Sequence, residues 1–444
     1  AQYAKNVYTD ESGQSMLRRT EEGFVFAQEG ESFSLVWYEG TADSVVLPDS
    51  FEGSAYSVAA YAFSRSDLSS VTIPNGVTAI GERAFERCVS LYTVQIGSGV
   101  TAIGDYAFYN CSSLQNVTIG ADVSTIGNYA FSGCSALEEI YLPASVSSIG
   151  DDAFSSCTRL ENIDVAAENA VYSSSAGVLF DKDKSELLLF PCGRQRTIYV
   201  LPSSVTVIGE GAFRSCTGLL GVTLPAGLLT IGADAFNGCT SLGTITIPEN
   251  VTHIGERAFE DCKALTNINW NAVSVADFTV LGHVFDSAGT AGAGLSLTIG
   301  DGVQSIPAYM FYAGAGILTY PANLVSVTVG EGVTDIGEGA FRKCGKLASV
   351  QMGEKVQRIG NKAFEGCEAL SSLTLPASLL SIGQQAFYDT GLTSVSFEQP
   401  LGWQVSSSSS FEEPQAVSSA QLSAPASAAV CLTRTYSSWY WKKA

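Results

Sequence analysis

The stretch Val77-Thr-Ala-Ile-Gly-Glu-Arg-Ala-Phe-Glu-Arg-Cys88 decides the fold, because variants of it return along most of the chain. Its Ile-Gly, Ala-Phe and Cys positions recur every 23 residues wherever the copies are regular. A fixed period of roughly 20–30 residues is typical of a solenoid, in which each coil packs only on its neighbours. A solenoid presents a long stacked surface rather than a pocket, so the repeat favours a protein that holds another macromolecule.

Each repeat reads as one coil made of two short strands and a turn. Within residues 68–74, Val71 and Ile73 alternate with polar residues, as a half-buried strand requires. An Asn-Gly pair then turns the chain, a second short apolar run follows, and Gly81 permits a sharp corner. After that corner we expect a short helical turn, which carries Phe85 into the centre of the coil.

About thirteen coils are expected, because Phe recurs thirteen times at this central position. The coils should stack at the spacing of neighbouring strands, ~4.8 Å. The strands would then form one continuous parallel ribbon and the Phe residues one spine. The positions are Phe63, Phe85, Phe108, Phe131, Phe154, Phe213, Phe236, Phe259, Phe285, Phe311, Phe341, Phe364 and Phe387.

The residue after Ile-Gly is acidic in many repeats. Acids suit the first turn of a helix, where free N–H groups carry a partial positive charge. A ladder of calcium ions is the alternative interpretation, but Asn128, Ala233 and Gln384 interrupt the row and no second row of ligands accompanies it. We therefore expect neither a metal site nor a cofactor. The acidic positions are Glu82, Asp105, Asp151, Glu210, Glu256 and Glu338.

Nine of the eleven cysteines occupy one repeat position, three residues after the Phe. This regularity predicts a buried ladder of free thiols, since free Cys packs like a small hydrophobe and stacked neighbours would present parallel Cβ vectors. One Cys per coil also argues against zinc. Cys192 and Cys431 lie outside the ladder, and a bridge between them is the alternative. The ladder comprises Cys88, Cys111, Cys134, Cys157, Cys216, Cys239, Cys262, Cys344 and Cys367.

The repeat lapses twice, and these lapses divide the chain into seven predicted segments. In the first lapse, two apolar runs flank the charged residues 181–184, which predicts a β-hairpin grafted onto one coil. Insertions often carry function in repeat proteins, although drifted coils without a ligand fit equally well. The segments are an N-terminal β-cap (1–60), regular coils (61–163), an irregular coil with the hairpin (164–200), regular coils (201–269), irregular longer coils (270–325), regular coils (326–399) and a Ser-rich C-terminal cap (400–444).

The unit L-x-x-V-x-I-P-x-x-V-x-x-I-G-x-x-A-F-x-x-C resembles the BspA-type (Treponema-type) leucine-rich repeat of bacterial cell-surface proteins, over about residues 45–397. The ending 428–443 looks like the terminal cap of that family. Aromatic residues at the end of a solenoid typically seal its last coil, and the alternative for Trp439 and Trp441 is that they stack on carbohydrate. The resemblance implies a leucine-rich-repeat solenoid, an α/β-type right-handed superhelix with a parallel β-ribbon and short helical turns. It also implies a secreted or surface-anchored protein, and some members of the family bind host proteins such as fibronectin and fibrinogen.

One stretch of the ribbon differs from the rest, whose outward side chains are mostly hydroxyls that suit exposed strands in any case. It places a Tyr and two aliphatic residues among acids, beside the grafted hairpin. Such residues anchor a partner better than a ladder of Thr. We predict a partner-binding patch formed by Glu139, Tyr141, Asn162, Asp164, Ile198 and Val200.

The composition excludes several classes of function. With 44 acidic and 23 basic residues, the formal charge of −21 opposes binding to nucleic acid or anionic lipid. No apolar run of about 18 residues is present, so no membrane insertion is expected. Only two His residues occur, and no P-loop, HExxH or dinucleotide fingerprint, so we expect no enzyme.

The sequence therefore predicts a non-enzymatic, monomeric module that binds a protein or a glycan outside the cell or on the bacterial surface. Host extracellular-matrix and plasma proteins are the partners that the resemblance implies. A structural spacer in a surface layer, with no specific ligand, is the alternative. The chain begins at Ala1, which a removed signal peptide or a trimmed terminus would explain.

Overall fold

The computed structural model describes residues 17–194, 197–312 and 321–444. Parts of the predicted N-terminal cap (1–16) and of the second irregular stretch (313–320) lie outside the described residues. The chain forms two compact units, within residues 1–195 and 196–444, and each is a parallel β-solenoid. No helix of the described ranges is long and apolar enough to cross a membrane. The boundaries of the seven segments stay a prediction.

In the first unit, each coil contributes one strand to an outward-facing ribbon and one to a second ladder. The ribbon strands are β4 (Ser44–Val46), β6 (Ser70–Ile73), β8 (Thr93–Ile96), β10 (Asn116–Thr118), β12 (Glu139–Leu142) and β14 (Asn162–Val165). The second-ladder strands are β5 (Tyr56–Val58), β7 (Val77–Ile80), β9 (Ala102–Ile103), β11 (Thr125–Ile126) and β13 (Ser148–Ile149). An antiparallel cap precedes them, with β1 (Leu17–Arg19), β2 (Phe24–Glu29) and β3 (Ser32–Tyr38). An antiparallel insertion follows, with β15 (Tyr172–Ser175), β16 (Val178–Asp181) and β17 (Glu186–Leu189).

The second unit repeats this arrangement and ends in a mixed cap. Its ribbon strands are β18 (Thr197–Val200), β20 (Leu219–Thr223), β22 (Thr244–Ile247), β24 (Asn267–Trp270), β25 (Leu295–Ile299), β27 (Leu324–Thr328), β29 (Ser349–Gln351), β31 (Ser372–Leu375) and β33 (Ser394–Phe397). Its second-ladder strands are β19 (Val207–Ile208), β21 (Thr230–Ile231), β23 (His253–Ile254), β26 (Ser305–Ile306), β28 (Asp335–Ile336), β30 (Arg358–Ile359) and β32 (Ser381–Ile382). The cap contains β34 (Trp403–Ser406), β35 (Gln415–Ala416), α1 (Ser419–Ser423), α2 (Pro425–Val430), a π-helix (Cys431–Thr435) and β36 (Tyr440–Lys443).

Ribbon pairing follows the 23-residue period. Ser70 pairs with Thr93 and Val71 with Val94 in parallel register, so that equivalent apolar residues stack inside. A one-residue slip would turn every buried side chain outward, which fixes the register. The pairing is interrupted between β10 and β12 and between β29 and β31, so each ribbon has two parts rather than the single continuous sheet predicted.

The predicted Phe spine is present in both units, and all thirteen Phe residues are buried. In the first unit, successive ring centroids from Phe63 to Phe154 lie 4.9, 5.1, 5.2 and 5.5 Å apart, with nearly parallel planes. In the second unit the widest gap is 6.3 Å, between Phe311 and Phe341, where one coil is longer. Stacking equivalent rings thus buries the edge that a single coil would leave exposed.

The segment after the Ile-Gly corner differs from the short helical turn expected there. Arg83 and Arg87 have positive φ angles of 52° and 57°, and the backbone forms successive tight turns. The N–H groups of Arg83, Phe85 and Arg87 donate to carbonyl oxygens of the next coil at 2.9, 2.7 and 2.7 Å. A helix would satisfy these donors within one coil, whereas stacked coils satisfy them between coils. Among the described residues, helices occur only in the C-terminal cap.

The cysteine ladder is buried, and eight of its nine thiols are free. The prediction is wrong at Cys216, which is disulfide-bonded, as is Cys192. The alternative bridge between Cys192 and Cys431 is also wrong, because Cys431 is a free thiol. The argument from parallel Cβ vectors applies only between rungs of the ladder, so it could not exclude a bond to a cysteine outside it.

The free ladder thiols are hydrogen-bond donors as well as small apolar groups. Cys111 Sγ donates to the carbonyl oxygen of Phe85 at 3.1 Å, and the backbone N–H of Cys88 donates to the same oxygen at 3.2 Å. Similar thiol bonds recur in both units, at 3.3 Å for Cys134 and 3.2 Å for Cys367. Each such thiol therefore links its own coil to the preceding one.

Aromatic residues seal the C-terminal end of the second unit. Trp403 and Trp441 are buried and pack edge to face at 6.3 Å, and both contact Phe397. Burial of Trp441 excludes the alternative in which this ring stacks on carbohydrate. Trp439 packs against Tyr436 at 5.8 Å. These rings cover the apolar end that an open solenoid would expose.

Candidate functional site

Four of the predicted patch residues lie on the last two ribbon strands of the first unit. Glu139 and Tyr141 belong to β12, and the parallel register places them opposite Asn162 and Asp164 of β14. Ile140, between the first two, is buried, so strand alternation turns the four side chains outward. The structure brings these four residues together, and we call their shared surface the Tyr141 face.

Tyr141 is the exposed aromatic group of this face. Its side chain is 55% exposed, and its ring packs against no other ring or cation of the described chain. Opposite it, Asp164 Oδ2 accepts a hydrogen bond from Nδ2 of Asn162 at 2.6 Å. That bond orients the Asp164 carboxylate beside Tyr141 of the neighbouring strand.

The Tyr141 face carries uncompensated negative charge. Two arginines lie nearby, but the Arg159 guanidinium pairs with Glu138, and Arg194 donates to two backbone carbonyl groups, one of them at 2.7 Å. Glu161, which immediately precedes β14, is a further exposed acid that sequence reasoning missed because it falls outside the strand alternation. Near this face, three exposed carboxylates form no ion pair with a described residue, those of Glu139, Glu161 and Asp164.

The other two predicted residues lie in the second unit. Ile198 and Val200 stand on β18, opposite Gly221 and Thr223 of β20, and are 71% and 65% exposed. Gly221 has no side chain to cover Ile198. They form an exposed aliphatic pair on that unit's own ribbon, and the grouping of all six residues into one patch stays a prediction.

The ribbon of the second unit has no charged outward side chain from β18 to β33. We call the outer surface of β31 and β33 the hydroxyl face, which consists of Ser372, Thr374, Ser394 and Ser396. These residues line a trough of about 370 Å³, to which Glu354 and Glu398 also contribute. Small side chains on neighbouring strands leave this trough open.

A row of planar side chains on the turn edge of the first unit was not predicted. The Arg83 guanidinium lies 4.2 Å from the ring centroid of Tyr106 and 6.0 Å from that of Tyr61. Tyr106 stacks on Tyr129 at 4.9 Å. All four residues have positive φ, which is unusual for bulky side chains. Their shared repeat position, two residues after the Ile-Gly glycine in the regular coils, was the available signal.

Asp105, one of the acids that suggested a calcium ladder, has a different role. Oδ1 of Asp105 accepts the backbone N–H of Asn128 at 2.8 Å, and Oδ1 of Asn128 accepts that of Asp151 at 2.8 Å. An Asn side chain serves this purpose as well as an Asp, which explains why Asn interrupts the acidic row. Over the described ranges, no three His, Cys, Asp or Glu side chains converge as metal ligands.

Comparison with known proteins identifies the repeat. A family profile described as "BspA type Leucine rich repeat region" matches residues 56–176, 192–313 and 293–415, in six copies. The fold is similar to a leucine-rich repeat protein from Eubacterium ventriosum, at 24% identity and a TM-score of 0.52 over 84% of this chain and 94% of that one. It is also similar to the pneumococcal vaccine antigen PcpA, at 20% identity and a TM-score of 0.50 over 78% and 94%. None of the curated proteins compared with the chain matches it.

Proposed function

Because the chain belongs to the BspA-type leucine-rich repeat family, we propose that it is a non-enzymatic module that binds another macromolecule through the outer face of its ribbons. Its place of action is outside the cell or on the bacterial surface, as the family resemblance implies. It acts as a monomer, and its partner is a protein or a glycan. Host extracellular-matrix and plasma proteins are the first candidates.

The exposed Tyr141 face is the observation that carries this proposal. Ile140 and Ile163 are buried on the inward side of β12 and β14, whereas the outward side presents an aromatic ring and carboxylates that no described part of the chain covers. Aromatic side chains are enriched among the residues that dominate binding energy at interfaces. In the second unit, Ile198 and Val200 offer an additional aliphatic contact.

A binding screen with the whole chain tests the proposal. Fibronectin, fibrinogen, other matrix and plasma proteins and a glycan array would be immobilised, and binding would be followed by surface plasmon resonance. We expect saturable binding to at least one of them, weakened about tenfold or more by Tyr141→Ala combined with Asp164→Lys. The matched control is Thr72→Ala, an outward change on β6. Absence of saturable binding by folded protein would refute the proposed function.

The second candidate function is that of a spacer in a surface layer, and the uncharged ribbon of the second unit favours it. Ser and Thr suit exposed strand positions without any ligand. A spacer would give no saturable binding in the screen. Replacing Ser372 and Ser394 by Ala would then leave every measured property of the folded protein unchanged.

A further inference from the structure

We propose that the Tyr141 face receives an arginine or lysine side chain from a protein partner, so that the first unit binds a basic segment. This inference rests on the proposed function, since it specifies the chemistry of the partner at that site. Its basis is the position of an open tyrosine ring between carboxylates on a sheet face that no described residue covers.

The strand geometry places the ring and the carboxylates within reach of one cation. Glu139 stands two residues before Tyr141 on the same face, about 7 Å away along β12. Asp164 lies directly opposite Tyr141 on the next coil, at the strand spacing of ~4.8 Å. A cation above the ring would therefore contact its π face while both carboxylates approach from the sides.

Charge complementarity selects a basic partner. Besides Arg159 and Arg194, Lys182 of the insertion is also engaged, because its Nζ donates to the carbonyl groups of Ala167, at 3.3 Å, and of Asn169. Within the described first unit, these three cations therefore form no ion pair with the carboxylates of Glu139, Glu161 and Asp164. The formal charge of −21 adds a long-range attraction for positive ligands.

Other partner classes fit this face less well. A neutral glycan would cover the carboxylates without supplying an opposite charge, and burying unpaired charge is costly. Anionic glycans and lipids would be repelled. Arginine fits better than lysine, because the planar guanidinium can stack on the tyrosine and still form two parallel bonds to a carboxylate.

The grafted insertion helps to hold the face in place. Gly177, between β15 and β16, accepts the backbone N–H of Ile163 from β14 at 3.0 Å. It approaches so closely that a Cβ atom there would lie 2.1 Å from Oδ1 of Asn162. Asn162 is thereby fixed between the insertion and Asp164. A partner would meet a carboxylate whose orientation is already set, which lowers the entropic cost of binding.

The test uses a fluorescent 15-residue peptide of alternating Arg and Gly-Ser units, titrated with the whole chain and followed by fluorescence anisotropy. A second peptide carries citrulline, a neutral isostere, in place of every Arg. The site variant is Glu139→Gln with Asp164→Asn, and a second variant is Tyr141→Ala. The matched control, Glu354→Gln with Glu398→Gln, removes the same charge from the second unit. Circular dichroism verifies that each variant is folded.

We expect the site variant to weaken Arg-peptide binding at least tenfold at low salt and Tyr141→Ala about fivefold, with less than a twofold effect of the control. The citrulline peptide should bind at least tenfold more weakly than the Arg peptide. The inference would be overturned if the control weakened binding as much as the site variant. Equal binding of the citrulline peptide would overturn it as well.

Failure of this inference can be told apart from failure of the proposed function. If the screen finds a ligand whose affinity the Glu139 and Asp164 substitutions leave unchanged, the module binds a partner but not through a basic group at this face. If the Arg peptide binds as expected while no protein or glycan is captured, the affinity of the Tyr141 face for basic groups is confirmed and the proposed function is refuted.

Discussion

The Tyr141 face of the first unit and the hydroxyl face of the second share one architecture and differ in chemistry. In both, two parallel strands pair in the same register, with Tyr141 opposite Asp164 and Thr374 opposite Ser396. Beneath both, the spine Phe residues and free ladder thiols are buried. Above them, one face carries a ring and carboxylates, and the other carries four hydroxyls.

The comparison shows that the fold restricts which residues can occupy the buried positions of a coil, whereas it does not restrict the outward positions in the same way. An inward residue must match its equivalents in the neighbouring coils, because ring stacking and thiol bonds continue from coil to coil. An outward residue has no such requirement, because its side chain lies at the surface of the ribbon. Each unit can therefore change its outer surface strand by strand without changing its core.

The largest expected effect tests whether the two cores are equivalent. We expect Phe131→Ala in the first unit and Phe364→Ala in the second each to lower the free energy of unfolding by about 3–5 kcal/mol. Both rings are fully buried, and each is stacked between two neighbouring rings of the spine. Urea denaturation followed by circular dichroism measures the loss. The control Tyr141→Ala should change stability by no more than about 0.5 kcal/mol. A loss of stability below about 1 kcal/mol for either Phe substitution would show that the two cores are not equivalent.

A smaller effect concerns the ladder thiols. Cys134→Ala and Cys367→Ala should each cost about 1–2 kcal/mol, because a carbonyl oxygen of the preceding coil loses its thiol donor. Serine at the same positions keeps a donor and should recover part of that loss. Thermal denaturation of the four variants provides the measurement. Equal destabilisation by Ala and Ser would show that the thiols act only by filling space.

The next prediction transfers one face onto the other. Ser372→Glu, Thr374→Tyr, Ser394→Asn and Ser396→Asp together would rebuild the Tyr141 face on β31 and β33. We expect the second unit to gain Arg-peptide binding about tenfold above its starting level, or about 1.4 kcal/mol. Anisotropy titration in a chain that also carries Glu139→Gln and Asp164→Asn isolates the new site. No gain would mean that the sheet register alone does not create the site.

The smallest expected effect is a dependence of folding stability on pH, which one residue of the second unit causes. Burial is the main cause that raises the pKa of Asp286 above its ordinary range, although a hydrogen bond of 2.8 Å with His283 Nδ1 opposes the shift. The folded state then holds this proton more tightly than the unfolded state. Asp286 contributes stability below the ordinary carboxyl pKa, and this contribution is lost as the pH rises through the raised value.

Asp286→Asn removes this titration. Relative to the variant, the wild-type protein should become less stable as the pH rises from about 3.5, just below the ordinary Asp pKa, toward neutrality. Urea midpoints of the two proteins, measured across that range, provide the comparison. A relative change of opposite sign would contradict the assignment of burial as the dominant cause.

Much of the fold could be predicted because a solenoid repeats its buried contacts in the sequence. The Phe and Cys positions could be assigned to the core from their period alone. The backbone of the turn edge could not, since an Ala-Phe pair is compatible with a helical turn when only local preferences are considered. The bonds from Arg83, Phe85 and Arg87 to the next coil override that preference. Cys216 occupies the same repeat position as eight free thiols, so nothing local distinguishes it.

The candidate site was partly predictable. Strand alternation placed Tyr141 and Asp164 outward, and the structure agrees. Alternation could not include Glu161, which lies before its strand, nor show that Arg159 and Arg194 are engaged by other groups. The bonds of these two arginines depend on the positions of groups in neighbouring coils and in the insertion.

The bonds between turn edges have a consequence for how the length of such a chain can change. The N–H of Arg87 donates to Tyr109 of the next coil, and that of Asn110 donates to Ser132 of the one after. Donor and acceptor positions are therefore interchangeable between regular coils. Deleting or duplicating one whole repeat would join matching edges and leave every backbone group paired. A deletion of any other length within the regular coils would offset these edges, so whole-repeat steps are the changes in length that preserve the pairing between regular coils.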